Sequence, residues 1–288
     1  MSSSANKLAI GTVQFGLDYG IANQDGQVNA DEIMSILDLA YENGINTLDT
    51  AKAYGNSETS IGEYLKQTEN NWNIIIKVND NNQSITAQIQ DSIEKLTVKP
   101  TVLFAHTTNL FLEPKFQSEV QEAKENELIQ SIGVSLYNIK EINQVLGSEL
   151  KPEVVQLPMN ILDTRLYRHG TLGKLFKKEI EIHVRSAFLQ GLFYLSKPDL
   201  EARFKDAVPY IEKLKSISEG ADLTLSELSL LWLVSLKEVN KVVIGIDNVS
   251  QLKMHLETLK KYVNSAVFEE ALVIKYENEQ ILNPSLWD

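Results

Sequence analysis

Four polar residues stand at or just past three consecutive apolar, β-rich runs. Asp49 lies at the end of "INTLDT", with Tyr54 following in "AKAYGNSE"; Lys77 lies at the end of "NIIIKV", and His106 closes "TVLFAH". An acid, a phenol, an amine and an imidazole delivered by neighbouring strand ends suit proton transfer to a carbonyl oxygen. A free tyrosine, with a pKa near ~10, donates poorly at neutral pH. An ammonium beside it favours the phenolate. A buried ammonium needs an anionic partner, which Asp49 can supply. A neutral imidazole can donate a hydrogen bond that orients the carbonyl. None of the four is a strong nucleophile or an electron source, so the reducing equivalent has to come from a cofactor, and a nicotinamide hydride fits best.

These residues need a scaffold that brings strand ends together. Apolar runs recur at 7–13, 45–50, 73–78, 101–106, 130–135, 153–158, 181–187 and 241–246. They do not alternate apolar with polar, which is the pattern of strands buried on both faces of a parallel sheet. Helical patterns lie between them. The segment 29–44 opens on Asn29 as N-cap, sets Ile33, Ile36, Leu37 and Ala40 on one stripe and stops at Gly44. Segments 84–96, 224–236 and 248–263 follow the same logic. Eight strands alternating with helices predict a single-domain (β/α)8 TIM barrel spanning 1–288, whose catalytic side chains lie at the C-terminal ends of the strands. A doubly wound open sheet is the competing architecture. The eight regular repeats and the lack of GxGxxG after any strand count against it. The last segment, 263–288, is predicted to pack back over one rim, because "NPSLWD" is too apolar for a free tail.

Composition narrows the function. A net charge of −12 argues against a nucleic-acid surface, which needs clustered Lys and Arg. It leaves room for an anionic cofactor in a locally basic pocket. The absence of cysteine excludes disulfides, a thiolate nucleophile and a zinc–thiolate site. The four histidines show no metal-ligand spacing: His169 and His183 read as structural or solvated. "MSSSANK" lacks the apolar core of a signal peptide, and no run reaches the ~18 apolar residues of a membrane span. The expectation is a cytoplasmic protein with no membrane or nucleic-acid partner. Trp232 reads as core, while Gln14 and Tyr19 read either as pocket lining or as ordinary loop packing.

Taken in order, the motifs resemble the aldo-keto reductase superfamily over essentially the whole chain. "LAIGTVQFG" resembles its first strand and "GINTLDTAKAYGNSE" its Asp-and-Tyr signature. "SIGVS", "VVQLPMN" and "RSAFLQGLF" resemble its fifth, sixth and seventh strands, and "GIDNVSQLKMHL" the cofactor segment after the eighth. The resemblance implies the catalytic tetrad Asp49, Tyr54, Lys77 and His106 and a site for NADP or NAD. Thr12 and Asp49 would line that site, Ser135 and Gln156 would hold the nicotinamide amide, and Arg185 would stack on the ring. Ser186, Phe188, Gln190 and Gly191 would follow the diphosphate. Gly245, Asp247, Gln251 and His255 would hold the adenosine end, where a helix N-terminus offers unpaired amides.

Three positions depart from the commoner pattern. Arg185 stands where many members stack a tyrosine, although a planar guanidinium can also stack. Leu136 stands where many have asparagine. After the eighth strand, Gly245, Ile246, Asp247 and Gln251 replace the basic residues that usually bind the 2′-phosphate of NADP, with Lys253 as the nearby cation. "GTVQFGLDYGIANQDGQV" and the terminal "NPSLW" resemble a branch associated with bacterial surface-polysaccharide and sugar pathways. The expected activity is reduction of an aldehyde or ketone, such as a sugar or nucleotide-linked sugar carbonyl, with Tyr54 as proton donor. Two alternatives stand beside it: a sugar epimerase that retains NAD(P) for transient oxidation, and a non-catalytic cofactor-binding regulatory subunit. A monomer or weak homo-oligomer is expected.

Overall fold

The computed structural model describes residues 4–287; Met1, Ser2 and Ser3 of the polar N-terminal stretch and Asp288 of the terminal segment lie outside them. The strands are β1 (Leu8–Gly11), β2 (Thr47–Asp49), β3 (Asn73–Val78), β4 (Val102–Ala105), β5 (Ser131–Ser135), β6 (Val154–Pro158), β7 (Glu181–Arg185) and β8 (Lys241–Gly245). They close a barrel in chain order. β1 meets β8 in parallel, from Leu8↔Val242 to Gly11↔Gly245, so no sheet edge is left. This is the (β/α)8 TIM barrel that the eight repeats predict.

Strand side chains alternate between two environments. One set, including Leu8, Ile10, Leu48, Ile74, Ile76 and Leu103, joins the large core formed with the surrounding helices. The other set points inward, where Ile75, Val102, Phe104 and Val154 form a separate apolar cluster. Gly133 belongs to that inner layer. A Cβ there would lie 1.7 Å from the Phe104 ring, so glycine leaves the space the ring fills. His183 meets Phe104 edge-on at 6.2 Å. This packed layer is the floor of the site, and Asp49, Lys77, Gln156 and Arg185 continue the same inward rows toward the C-terminal end.

The helices begin where their caps dictate. The Asn29 side chain accepts from Glu32 N and opens Ala30–Glu42, whose stripe Ile33, Ile36, Leu37 and Ala40 is buried. Gly44, at φ +84°, takes the left-handed conformation that ends it. Ser84 caps Ile85–Leu96. Thr224 and Glu227 form a capping box for Leu225–Ser235. The helix after β8 spans Val249–Thr258 and stops short of the expected residue 263. The following Lys260 and Lys261 are exposed, as is Tyr262 at 91%, and only Leu259 and Val263 of this stretch pack on the core.

After the barrel come the helices Ser265–Leu272 and Glu279–Leu282 and the turn Pro284–Leu286. Tyr276 packs on Tyr210 at 4.8 Å and Trp287 on Phe204 at 4.7 Å, both partners belonging to the long β7–β8 connection. Among the described residues, no helix is long and apolar enough to cross a membrane.

Candidate active site

The barrel register brings the four polar residues together. Asp49 is the last residue of β2 and Lys77 lies in β3, on the same inward row as Ile75, the register partner of Asp49. His106 directly follows β4, and its amide donates to Val78 O at 2.9 Å. Tyr54 sits in the turn after β2, which is held by Tyr54 N→Ala51 O at 3.0 Å and Ser57 N→Tyr54 O at 3.0 Å. That turn packs against β1's loop at backbone distance. A Cβ on Gly16 would come 1.8 Å from Tyr54 O, and Gly55, at φ +54°, faces Gly16 O in turn.

Lys77 Nζ pairs with Asp49 Oδ1, with the two side chains only 2% and 4% exposed. It also donates to Tyr54 Oη at 3.4 Å. The second carboxylate oxygen, Asp49 Oδ2, accepts from Gln156 Nε2 at 2.7 Å. Burial pulls the Lys77 pKa down, but the Asp49 charge and the Tyr54 phenol, with hydrogen bonds to both, outweigh it and leave the ammonium above its ordinary value. His106 behaves oppositely. Burial, reinforced by the positive charges of Lys77 and Arg185 and opposed only by Asp49, lowers its pKa to about 4. It is therefore neutral at neutral pH. Its Nδ1 is hydrogen-bonded to Asn79 Oδ1, an acceptor, which puts the ring proton on Nδ1; turning the carboxamide so that its NH2 group faces the ring moves that proton to Nε2.

A cavity of about 670 Å³ opens over this group. Of the residues singled out from sequence, it is lined by Thr12, Asp49, Tyr54, His106, Gln156, Arg185, Ser186, Phe188, Gln190, Gly191, Gly245, Asp247 and Gln251. Lys77 lies behind Asp49 and Tyr54 and does not reach the wall. Ser135 is buried at the end of β5, in register with Gln156, and also lies off the wall. His255 is 5% exposed and stacks on Phe188 at 4.9 Å and 8°, behind the lining rather than in it. Leu136 is fully buried, and Lys253 is exposed.

The cavity suits an elongated polar ligand such as a nicotinamide dinucleotide. Three lining residues hold buried polar atoms without a partner: Gln14 Oε1, Arg185 Nη2 and Asp247 Oδ1. A Cβ at Gly245 would fall 2.3 Å from Gln14 Nε2, so a larger residue there would displace the end of the Gln14 side chain. In the turn after β7, Ser186, Leu189, Gln190 and Gly191 all have positive φ, at 62°, 49°, 54° and 96°. Three of these are not glycine, which is costly backbone and concentrates at ligand clamps.

Several lining residues had not been assigned a definite role from sequence. Gln14 and Tyr19 both line the cavity, as do Tyr137, Tyr194 and Asn283–Ser285 of the terminal segment. Tyr137 lies two residues past Ser135, the same offset that separates Asn79 from Lys77, so position just beyond a strand end was the available signal. Nothing local marks Asn283–Ser285 as a wall of the site.

Comparison with known proteins agrees with this geometry. The sequence profile described as "Aldo/keto reductase family" matches residues 7–271. A sequence search of curated proteins found no match. Among solved structures, the chain is similar to an aldo-keto reductase from Bacillus halodurans in its holo form, with TM-score 0.75 and 19% identity, covering 95% of each chain. It is also similar to a glycerol dehydrogenase from Gluconobacter oxydans, with TM-score 0.73 and 18% identity, covering 93% of this chain and 90% of that one. At such identities the structural matches show the fold, and the family rests on the sequence profile. The chain belongs to the aldo/keto reductase family, oxidoreductases that act on small-molecule carbonyl compounds with NADP(H) or NAD(H).

Proposed function

We propose that this protein reduces the carbonyl of a sugar or nucleotide-linked sugar to the alcohol, with Tyr54 as the proton donor. The observation that carries the reading is the placement of Tyr54 Oη on the cavity wall, 3.4 Å from the buried Lys77 ammonium. A bound reduced nicotinamide supplies the hydride.

The chain's own residues do the rest. Tyr54 hydrogen-bonds the substrate oxygen and gives up its proton as negative charge develops there. The Lys77 cation stabilises the phenolate left behind. Asp49 keeps that cation charged and fixed in the barrel, and Gln156 holds the Asp49 carboxylate. Neutral His106 donates from Nε2 to the same oxygen and aligns the carbonyl once the Asn79 carboxamide turns its NH2 group toward Nδ1, in place of the Oδ1 that faces it here. Thr12, Gln156 and Arg185 border the nicotinamide end, with Ser135 beside Gln156 in strand register. Ser186–Gly191 follow the diphosphate. Gly245, Asp247 and Gln251 take the adenosine end, and His255 backs Phe188.

The test is turnover of a panel of aldehydes and sugars with NADH and NADPH, for the native protein and Tyr54→Phe. The native protein is expected to oxidise the cofactor, and Tyr54→Phe to lose roughly 10²–10⁴-fold in turnover while still binding cofactor. A Tyr54→Phe protein that turns over at the native rate removes the proton-donor assignment.

A further inference from the structure

Three charged residues line the cavity: Asp49, Arg185 and Asp247. Asp49 is taken by Lys77 and Gln156. Arg185 forms no ion pair with any described residue. Its Nη1 donates to Ser186 Oγ at 3.3 Å, and its guanidinium carbon lies 4.3 Å from the Tyr137 ring centroid. Nη2 is buried and has no partner. A guanidinium has five N–H donors in a planar fork and stays charged throughout the working pH range. Arg185 is only partly buried, yet it faces a ligand cavity with one buried N–H group unpaired, which marks a place for a negative ligand.

Two anions could reach it, the cofactor's diphosphate and a group on the substrate. Location favours the substrate. The Arg185 charge acts on His106 and Tyr19, both at the end of the cavity that holds the phenol of Tyr54. The diphosphate, by contrast, is assigned to the backbone turn that follows Arg185 in the chain. The cation-π contact with Tyr137 holds the guanidinium plane, which leaves its edge to serve as a bidentate fork.

We infer that Arg185 is a specificity residue that binds an anionic group carried by the carbonyl substrate, so that acidic or phosphorylated carbonyl compounds are preferred over neutral ones. This rests on the reductase reading above and narrows it: a sugar acid, sugar phosphate or nucleotide-linked sugar fits, and a plain neutral sugar does not.

The test compares matched substrates, succinic semialdehyde against butyraldehyde and glyceraldehyde 3-phosphate against glyceraldehyde. It is run on the native protein, Arg185→Lys and Arg185→Met, with NADH and NADPH dissociation constants measured on each. The native protein is expected to favour at least one anionic member. Arg185→Met is expected to lower the anionic-to-neutral ratio of kcat/KM roughly 100-fold, chiefly through KM, and Arg185→Lys to keep part of it. The carboxylate and phosphate pairs separate the two anion types. A native ratio near one overturns the inference, as does a ratio that Arg185→Met leaves within threefold. A parallel loss of cofactor binding and of all substrates also overturns it, by assigning the cation to the cofactor. If the native protein reduces none of the four compounds, the reductase reading is decided by the aldehyde and sugar panel above, and the anion site by binding. Calorimetric titration of the NAD-loaded protein with succinate and with inorganic phosphate then decides: saturable binding lost in Arg185→Met supports the anion site, and no binding overturns it.

Discussion

Lys77 Nζ stands between two oxygens, the Asp49 carboxylate with which it pairs and the Tyr54 phenol 3.4 Å away. The two contacts have different consequences. The first makes a buried cation tolerable inside the barrel. On the proposed mechanism, the second places that cation where a phenolate would form. Stability and catalysis would then meet in one ammonium and can be separated by substitution.

Asp49→Asn leaves a buried ammonium without its counterion, and Lys77→Met leaves a buried carboxylate with only the Gln156 N–H. Each single change is expected to cost about 3–5 kcal/mol, and the double variant is expected to recover a large share of that, because no unpaired charge remains. Turnover should stay low in all three. Denaturation midpoints and steady-state rates on the four proteins check this. Single losses that simply add in the double variant would show the two residues to be uncoupled.

Gly16 and Tyr54 approach more closely than side chains allow. A Cβ at Gly16 would lie 1.8 Å from Tyr54 O and 2.6 Å from Ser57 N, both backbone atoms in a hydrogen-bonded turn. Backbone cannot move aside as a flexible side chain does. Gly16→Ala is expected to push the Tyr54 turn away, destabilise the fold by about 1–3 kcal/mol and cut turnover roughly 10²-fold, since displacement near 1 Å is enough for that. An unchanged rate in Gly16→Ala would mean that the turn position does not matter.

The legible parts of the chain are those written in local pattern. Eight apolar runs give eight strands because burial on both faces leaves no alternation. The four polar residues at their ends stand out because a buried parallel strand has little other reason to carry them. Asn29 reads as a cap because its cap bond, to Glu32 N, spans only three residues. What stayed hidden depends on approach between distant segments. The Arg185–Tyr137 stack joins the ends of β7 and β5, and Asn283–Ser285 reach the cavity from the far end of the chain. Ser135 and His255 occupy the expected positions in the chain, yet packing sets both behind the wall.

Burial also writes a pH dependence into the fold. His255 is lowered to about 4 by burial against the weaker opposing charge of Glu227, and His106 is lowered to about 4 as well. An unfolded histidine titrates near ~6.5. Between the two values the unfolded chain binds protons that the folded chain refuses, so stability rises with pH in that window. The contribution is complete above the unfolded value and is lost as pH falls toward about 4, on the order of 3 kcal/mol for a group as buried as His255. His255→Phe, which keeps a ring against Phe188, is expected to lose less stability than the native protein between neutral pH and the acid end. Denaturation midpoints at several pH values measure the difference. Parallel curves for the two proteins would refute the buried, neutral state of His255.

On the proposed cofactor placement, Asp247 would bear on which dinucleotide binds. Its backbone N donates to Gln251 Oε1 at 2.7 Å and its Oδ2 accepts from Gln251 Nε2 at 3.1 Å, so the side chain is held in place. Oδ1 is buried and free to accept a hydrogen bond. Burial raises the carboxyl's pKa, the hydrogen bonds from Gln251 and Gln14 oppose the rise, and Asp25 adds to it. An adenine ribose 2′-hydroxyl beside it can donate to Oδ1, whereas a 2′-phosphate brings like charge. Two unit charges 4 Å apart repel by about 4 kcal/mol at an effective dielectric near 20. A tenfold preference needs only about 1.4 kcal/mol. NADH is expected to bind at least about tenfold tighter than NADPH, and Asp247→Ser to close most of that gap by improving NADPH. Fluorescence titration of both cofactors against both proteins reads the four constants. Tighter NADPH binding by the native protein, or a ratio that Asp247→Ser leaves in place, removes Asp247 as the discriminating residue.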